Sequence, residues 1–375
     1  MVRRACLLAA VAIVSLLSLE LLLRLVATGD DVFRERQRQW EFERGVKRHP
    51  RWGWGFAPNV DFPSDDIRIR TVPMPGAPEY GMRDRGVDPS RPTVAAVLGD
   101  SFTFGADVDI DDIWCHRIES RHPQLEMLNL AVGGGAAKAA EQYAVLRDGL
   151  PPHALVIYAM WLGNEFDDNA ASRSPPAHAG GVRWRLRQQY ERLRFAVLAH
   201  SKLAALLGDR LRRLQADPAA RTDYAPESDG VPNERFGPFR MSPNNPVLTR
   251  YAAPEITDDW ILEGIRKTEV ALQRLKELAG ARRLLVLLFP FKEQVHADIT
   301  LGLNPRLDLE QPNRIVLAMC ARLGIDCVDT LEVCRQHADE PLFWQMGVHF
   351  NPRGHAVVAD ETERQMAARG LLADR

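Results

Sequence analysis

Val97-Leu98-Gly99-Asp100-Ser101-Phe102-Thr103-Phe104-Gly105 is where a largely apolar run, residues 93–98, stops at a turn of small residues that carries a serine. Such a short run bounded by turn signals reads as a buried strand. The turn would then set the Ser101 hydroxyl on the rim of whatever sheet the strand enters. Gly-Asp-Ser alone is common, and a plain turn serine is the simpler reading. The remainder of the chain decides between the two.

Working outward, strand-like and helical patterns alternate. Further strand-like runs lie at 126–130, 154–160, 283–289 and 325–328, with helical patterns at 111–121, 136–147, 257–279 and 312–323. A last helix follows Asn351-Pro352, where asparagine suits the cap and proline the first helical position. This alternation predicts an α/β fold: a flavodoxin-like, doubly wound parallel sheet of five strands, because crossovers between parallel strands are right-handed. With 375 residues, 46% of them hydrophobic, the chain can bury a sizeable core.

Two stretches break the pattern. Residues 29–92 are polar and rich in proline, glycine and tryptophan, and read as an extended lead-in packed on a main domain at 93–375. An insertion at about 170–253 interrupts that domain. Its first half sets Leu186, Tyr190, Leu193 and Val197 at helical spacing among many arginines, and its second half, 217–245, reads as a flexible excursion. The arginine-rich helix is either a solvated face docked through its leucines or a contact with anionic lipid head groups or acidic polysaccharide.

Ahead of the lead-in, residues 5–23 form an almost unbroken apolar run in which Glu20 is the only charge, with Arg3 and Arg4 before it and Arg24 after. About twenty such residues rise roughly 30 Å as a helix, enough to span a bilayer. The run is longer than a cleaved signal's apolar region, and Leu25-Val26-Ala27 is a poor cleavage site. Residues 1–28 therefore read as an uncleaved transmembrane signal anchor, with the basic end cytoplasmic and the bulk of the chain exported. A net charge of −2 gives no field that would recruit nucleic acid. Cys320, Cys327 and Cys334 are seven residues apart, which fits neither a redox pair nor a zinc set; a disulfide and buried thiols both remain open. No phosphate loop is present, and no metal or other cofactor is expected.

Most of the chemically able residues follow the carboxyl ends of different predicted strands, where open α/β sheets form their sites. Ser101 follows the first, the glycines of Asn129-Leu130-Ala131-Val132-Gly133-Gly134-Gly135 the second, and Asn164 of Leu162-Gly163-Asn164-Glu165 the third. His349 precedes the last helix, in Val348-His349-Phe350-Asn351-Pro352. Acyl transfer needs a nucleophile, a base within reach and donors aimed at the oxygen that becomes negative. A serine, a histidine, a glycine N–H and a carboxamide meet that need.

In these four blocks the sequence resembles the SGNH/GDSL hydrolase superfamily. It is most similar to the membrane-anchored bacterial branch often associated with surface polysaccharides, through Glu20 and Arg24, Gly81-Met82-Arg83-Asp84 and Pro290-Phe291-Lys292-Glu293. The resemblance implies Ser101 as nucleophile and His349 as base, with an oxyanion hole from the N–H groups of Ser101 and Gly134 and the side chain of Asn164. It implies an ester hydrolase or O-acyltransferase working on acylated carbohydrate or another envelope ester. The family usually has an aspartate two or three residues before its histidine, where this chain has Met346 and Gly347. Asp339 and Glu340 are the nearest upstream acids; otherwise a backbone carbonyl holds the ring, or the site only binds and the protein is a scaffold subunit of a polysaccharide export system. His355 falls inside the final helix and reads as structural.

Overall fold

A computed structural model describes residues 2–26, 30–64, 67–172, 182–215, 231–233, 237–241, 246–345 and 347–372. The chain divides into two units, one of residues 1–48 and 177–221, the other of residues 49–176 and 222–375.

The larger unit is built on strands β1 (Thr93–Gly99), β2 (Leu125–Asn129), β3 (Leu155–Trp161), β4 (Arg283–Phe289) and β5 (Asp326–Asp329). Their spatial order is β2-β1-β3-β4-β5 and every neighbouring pair is parallel. This is the flavodoxin-like order, and every residue of the central β3 is buried. Its composition follows from that position, since a parallel strand covered on both faces has no polar side to alternate with. Among its helices are α1 (Ser101–Phe104), α2 (Trp114–Arg121), α3 (Ala136–Leu146), α4 (Glu165–Ala171), α5 (Asp259–Ala279), α6 (Gln311–Leu323) and α7 (Pro352–Ala368). Asp258 and Asn351 cap α5 and α7, each carboxylate or amide oxygen accepting two backbone N–H groups of the first turn. Cys115, Cys320, Cys327 and Cys334 are free thiols.

The lead-in is not extended throughout. Asp30–Gly45 is a helix in the smaller unit, hidden from a periodicity reading because its sequence is mostly charged and amide residues. From residue 49 onward the lead-in belongs to the larger unit, where Gly53–Phe56 and Val72–Met74 pair with Ala77–Met82. A Cβ on Gly81 would lie 2.3 Å from the Ala57 carbonyl oxygen, so only glycine fits that crossing. The crossing delivers Arg83 and Asp84, both buried, to the sheet.

In the smaller unit, helices Val2–Leu25 and Asp30–Gly45 lie with Val182–His200 and Lys202–Gln215 of the insertion. The insertion helix is not docked through its leucines. Leu186, Tyr190, Leu193 and Val197 are 59%, 63%, 64% and 49% exposed. Among the described residues no helix is long and apolar enough to cross a membrane; the side chains of residues 2–9 lie outside that description. Of the excursion 217–245, residues 231–233 and 237–241 form an antiparallel pair, and the rest lies outside the described residues.

Helix α5 approaches α4 so closely that a Cβ on Gly264 would stand 2.1 Å from the Phe166 carbonyl oxygen. Gly264→Ala is expected to destabilise the protein by about 1–3 kcal/mol, since neither backbone can yield freely in a packed interior. Thermal unfolding of the variant tests this, and an unchanged midpoint would show the helices are free to part.

Candidate active site

The serine is placed by its neighbours. Gly99 ends β1, where a Cβ would sit 2.5 Å from Thr103 Oγ1 and 2.9 Å from the Ala159 carbonyl. The next residue, Asp100, caps α1: its buried carboxylate accepts the Phe102 N–H at 2.9 Å and the Trp161 N–H at 2.8 Å. One side chain thus fixes the serine turn to the end of β3. Burial, only partly offset by those hydrogen bonds, lifts the Asp100 carboxyl to about 6.

Ser101 Oγ lies 2.8 Å from His349 Nε2. The other ring nitrogen, Nδ1, lies 2.5 Å from Asp107 Oδ2. With the carboxylate ionised, Nδ1 carries the proton and donates to it, leaving Nε2 to accept from the serine hydroxyl. Burial pushes the Asp107 carboxyl up, but the hydrogen bond and charge of His349, with Arg83 nearby, outweigh it and leave the group below its ordinary value. Ser101, His349 and Asp107 form a continuous relay from hydroxyl to carboxylate.

Asp107 reaches this place through a tight return of the chain. Gly105 ends α1 at φ 73°, in the left-handed region, and the N–H groups of Gly105 and Ala106 both donate to the Ser101 carbonyl. The loop after it is held by Arg83, 1% exposed, whose guanidinium donates to the carbonyls of Phe104 at 3.3 Å and Val108 at 2.5 Å. The same guanidinium lies 5.5 Å from the centre of the Phe104 ring. Its neighbour Asp84 accepts the Asn129 N–H at 2.9 Å, and the Asn129 amide donates to the Thr103 carbonyl at 2.9 Å. The Arg83-Asp84 pair thereby links the serine helix, the acid loop and the end of β2.

The carboxylate on His349 is neither of the two nearest upstream. Glu340 is engaged by Arg353 and by His337 on the surface, and Asp339 is exposed. The expectation failed because it looked for the acid beside the histidine, whereas Asp107 comes from the serine loop, 242 residues earlier. The available signal was Gly105, a glycine immediately after the serine helix that turns the chain back. Met346 lies outside the described residues.

The histidine loop rests on aromatic packing and two buried anchors. The ring of His349 meets Phe102 edge-on at 5.0 Å, and Phe350 meets Phe102 likewise at 5.1 Å. Trp344 N–H donates to the His349 carbonyl at 3.0 Å, and buried Lys292 donates to the Trp344 carbonyl at 3.2 Å. His355 is buried in α7, accepting the Trp114 N–H at its Nδ1, and burial holds its imidazole down at about 3, uncharged.

Gly134 and Asn164 lie on the loops after β2 and β3, the strands that flank β1. Gly133 and Gly134 have φ of 85° and 97°, a consecutive left-handed pair that only glycines adopt at little cost. The turn is fixed from α4: Glu165 Oε1 accepts the Ala136 N–H at 2.9 Å and Asn169 Oδ1 the Ala137 N–H at 2.9 Å. Asn164 occupies the cap position of α4, yet its side chain makes no cap hydrogen bond. Glu165, fully buried and also bonded to the Tyr158 hydroxyl, is raised by burial to about 8 and stays protonated at neutral pH. Sequence reading noticed neither Glu165 nor Asn169 as supports of the glycine turn.

No family model and no curated protein matches the chain. Among solved structures it is similar to a member of the lipolytic protein G-D-S-L family from Veillonella parvula, at 12% identity and TM-score 0.38, over 73% of this chain and 98% of that one. It is also similar to LAE5, an alpha/beta hydrolase enzyme from the metagenome of Lake Arreo, Spain, at 16% identity and TM-score 0.39, over 75% and 97%. A third is Est24, a carbohydrate acetylesterase from Sinorhizobium meliloti, at 10% identity and TM-score 0.36, over 74% and 99%.

Two measurements probe this geometry. Asp107→Asn is expected to lower turnover of a nitrophenyl ester by about 10³–10⁴-fold, as losing the acid does in serine hydrolases, while Glu340→Gln leaves it nearly unchanged; the reverse ranking would reassign the acid. Glu165 binds its proton more tightly folded than unfolded, so its contribution to stability is lost as pH rises from its ordinary 4.5 through about 8. The unfolding midpoint of Glu165→Gln should therefore fall less between pH 5.5 and pH 8.5 than that of the native chain, and parallel profiles would show that the carboxyl titrates normally.

Proposed function

We propose that the protein is a serine ester hydrolase of the SGNH type, anchored by its N-terminal helix in a bacterial inner membrane with its catalytic unit periplasmic, acting on acylated carbohydrate of the cell envelope. The observation that carries the reading is the relay from Ser101 through His349 to Asp107. Such an arrangement makes a neutral hydroxyl nucleophilic at moderate pH, because the oriented imidazole accepts its proton as it attacks.

Ser101 attacks the ester carbonyl as His349 takes its proton, and a tetrahedral adduct forms with its oxygen facing the N–H groups of Ser101 and Gly134 and the Asn164 amide. Collapse expels the alcohol, protonated by His349, and leaves an acyl-serine. Water, deprotonated by the same imidazole, releases the acid and restores the serine. A sugar hydroxyl in place of that water makes the enzyme an O-acyltransferase by the same steps. The scaffold alternative drew its support from a histidine with no acid beside it in sequence, and Asp107 removes that support. The membrane anchor is supported by the apolar run at 5–23 and by Val11, Ile13, Val14, Leu16 and Leu17 on that helix, each more than half exposed.

Ser101→Ala should reduce acetate release from an O-acetylated polysaccharide and from a nitrophenyl ester by about 10⁴-fold or more, and abolish labelling by a fluorophosphonate. Asn164→Ala should cost about 10²–10³-fold in turnover with little change in KM. Equal rates for Ser101→Ala and the native protein would end the hydrolase reading.

A further inference from the structure

The insertion helix Val182–His200 presents an outward stripe that nothing described in the protein covers. Val182, Leu186, Tyr190, Leu193 and Val197 are 66%, 59%, 63%, 64% and 49% exposed. At 3.6 residues per turn the five fall within an arc of about 80°. The opposite face is the one turned inward, with Ala199 fully buried and Phe195 and Leu198 half-buried. Exposed Arg187 and Arg194 border the stripe on one side and exposed Arg192 lies beyond its other edge. The helix carries five arginines against one glutamate.

Its end is tied to the top of the apolar N-terminal segment. The Arg24 guanidinium donates to the His200 carbonyl at 2.6 Å. Glu20, bonded to Arg24, accepts the Ser201 hydroxyl at 2.9 Å and the N–H groups of Lys202 at 3.0 Å and Leu203 at 2.9 Å, capping the following helix from outside. The stripe therefore begins one turn from the place where residues 20–24 end the apolar run.

We propose that Val182–His200 lies in the outer face of the membrane that holds the N-terminal helix, its stripe at the acyl boundary and its arginines on anionic lipid head groups. This rests on the anchor reading above. A bilayer interface supplies both things the helix offers contacts for, apolar depth and negative charge, and long arginines bordering an apolar stripe can reach back to the head groups. Acidic polysaccharide has no surface to cover leucines. A second copy laid on the same stripe would bring arginine borders against arginine borders.

The test uses the full chain in vesicles containing phosphatidylglycerol, with photoreactive benzoylphenylalanine replacing Tyr190 or, as a reference on the larger unit, exposed Glu332. Irradiation should give a lipid adduct from position 190 and none from 332. Leu186→Glu with Leu193→Glu should lower that adduct by about fivefold or more while retention in the membrane under alkaline carbonate is unchanged. A carbonate-resistant protein whose position 190 links to a second copy, or to nothing, overturns the proposal and leaves the anchor standing. A protein released by carbonate overturns the anchor and the proposal together. Equal adduct in purely zwitterionic vesicles overturns the role of the arginines.

Discussion

The bond between His349 and Asp107 joins two segments that the chain keeps 242 residues apart. An imidazole serves as a base toward Ser101 only if one nitrogen is free to accept and the ring cannot rotate, and the carboxylate on the far nitrogen meets both conditions. Much of the surrounding structure works to keep that carboxylate where it is. Gly105 turns the chain back, Arg83 holds the carbonyls on either side of Asp107, and Phe102 and Phe350 keep the histidine ring over the serine helix.

Placing acid and nucleophile on one loop changes how the site is coupled. Where acid and base share a loop, their relative position is local and the serine must be brought to them. Here Ser101 and Asp107 move together and the histidine loop is the separate part, so its fixation by Lys292 through Trp344 carries more consequence. The glycine turn and Asn164 are coupled in a similar way. Glu165 and Asn169, one and five residues after Asn164, bind the first N–H groups of the helix that follows Gly135. A shift of α4 therefore displaces the carboxamide and the glycine turn together.

Sequence reading recovered the sheet because β1 to β4 are buried on both faces and bounded by turn residues, and the segment 283–289 coincides with β4; in β5 only Val328 is buried. It placed Ser101 and His349 because both stand at abrupt ends of regular elements, and these two the structure brings into contact. It did not find Asp107, since the contact depends on a fold-back at Gly105 and on a guanidinium from residue 83, neither of which has a periodic signature. The helix Asp30–Gly45 was missed because its apolar residues are too few to draw a stripe. Of the two readings of the insertion helix, the one docked through its leucines fails, since the structure turns that face out and buries Ala199 instead: two apolar faces on one helix leave periodicity unable to choose between them.

The position of Arg83 has a bearing on what the minimal working part of this protein is. A chain trimmed to begin at Thr93 would retain all five parallel strands together with the hydroxyl, the imidazole and the carboxylate. It would nevertheless lose the cation that spans the carbonyls flanking Asp107 and the Asp84 carboxylate that accepts the Asn129 backbone N–H. Competence therefore extends upstream of the sheet, and the small strands around Gly81 belong to the catalytic apparatus as a brace belongs to an arch.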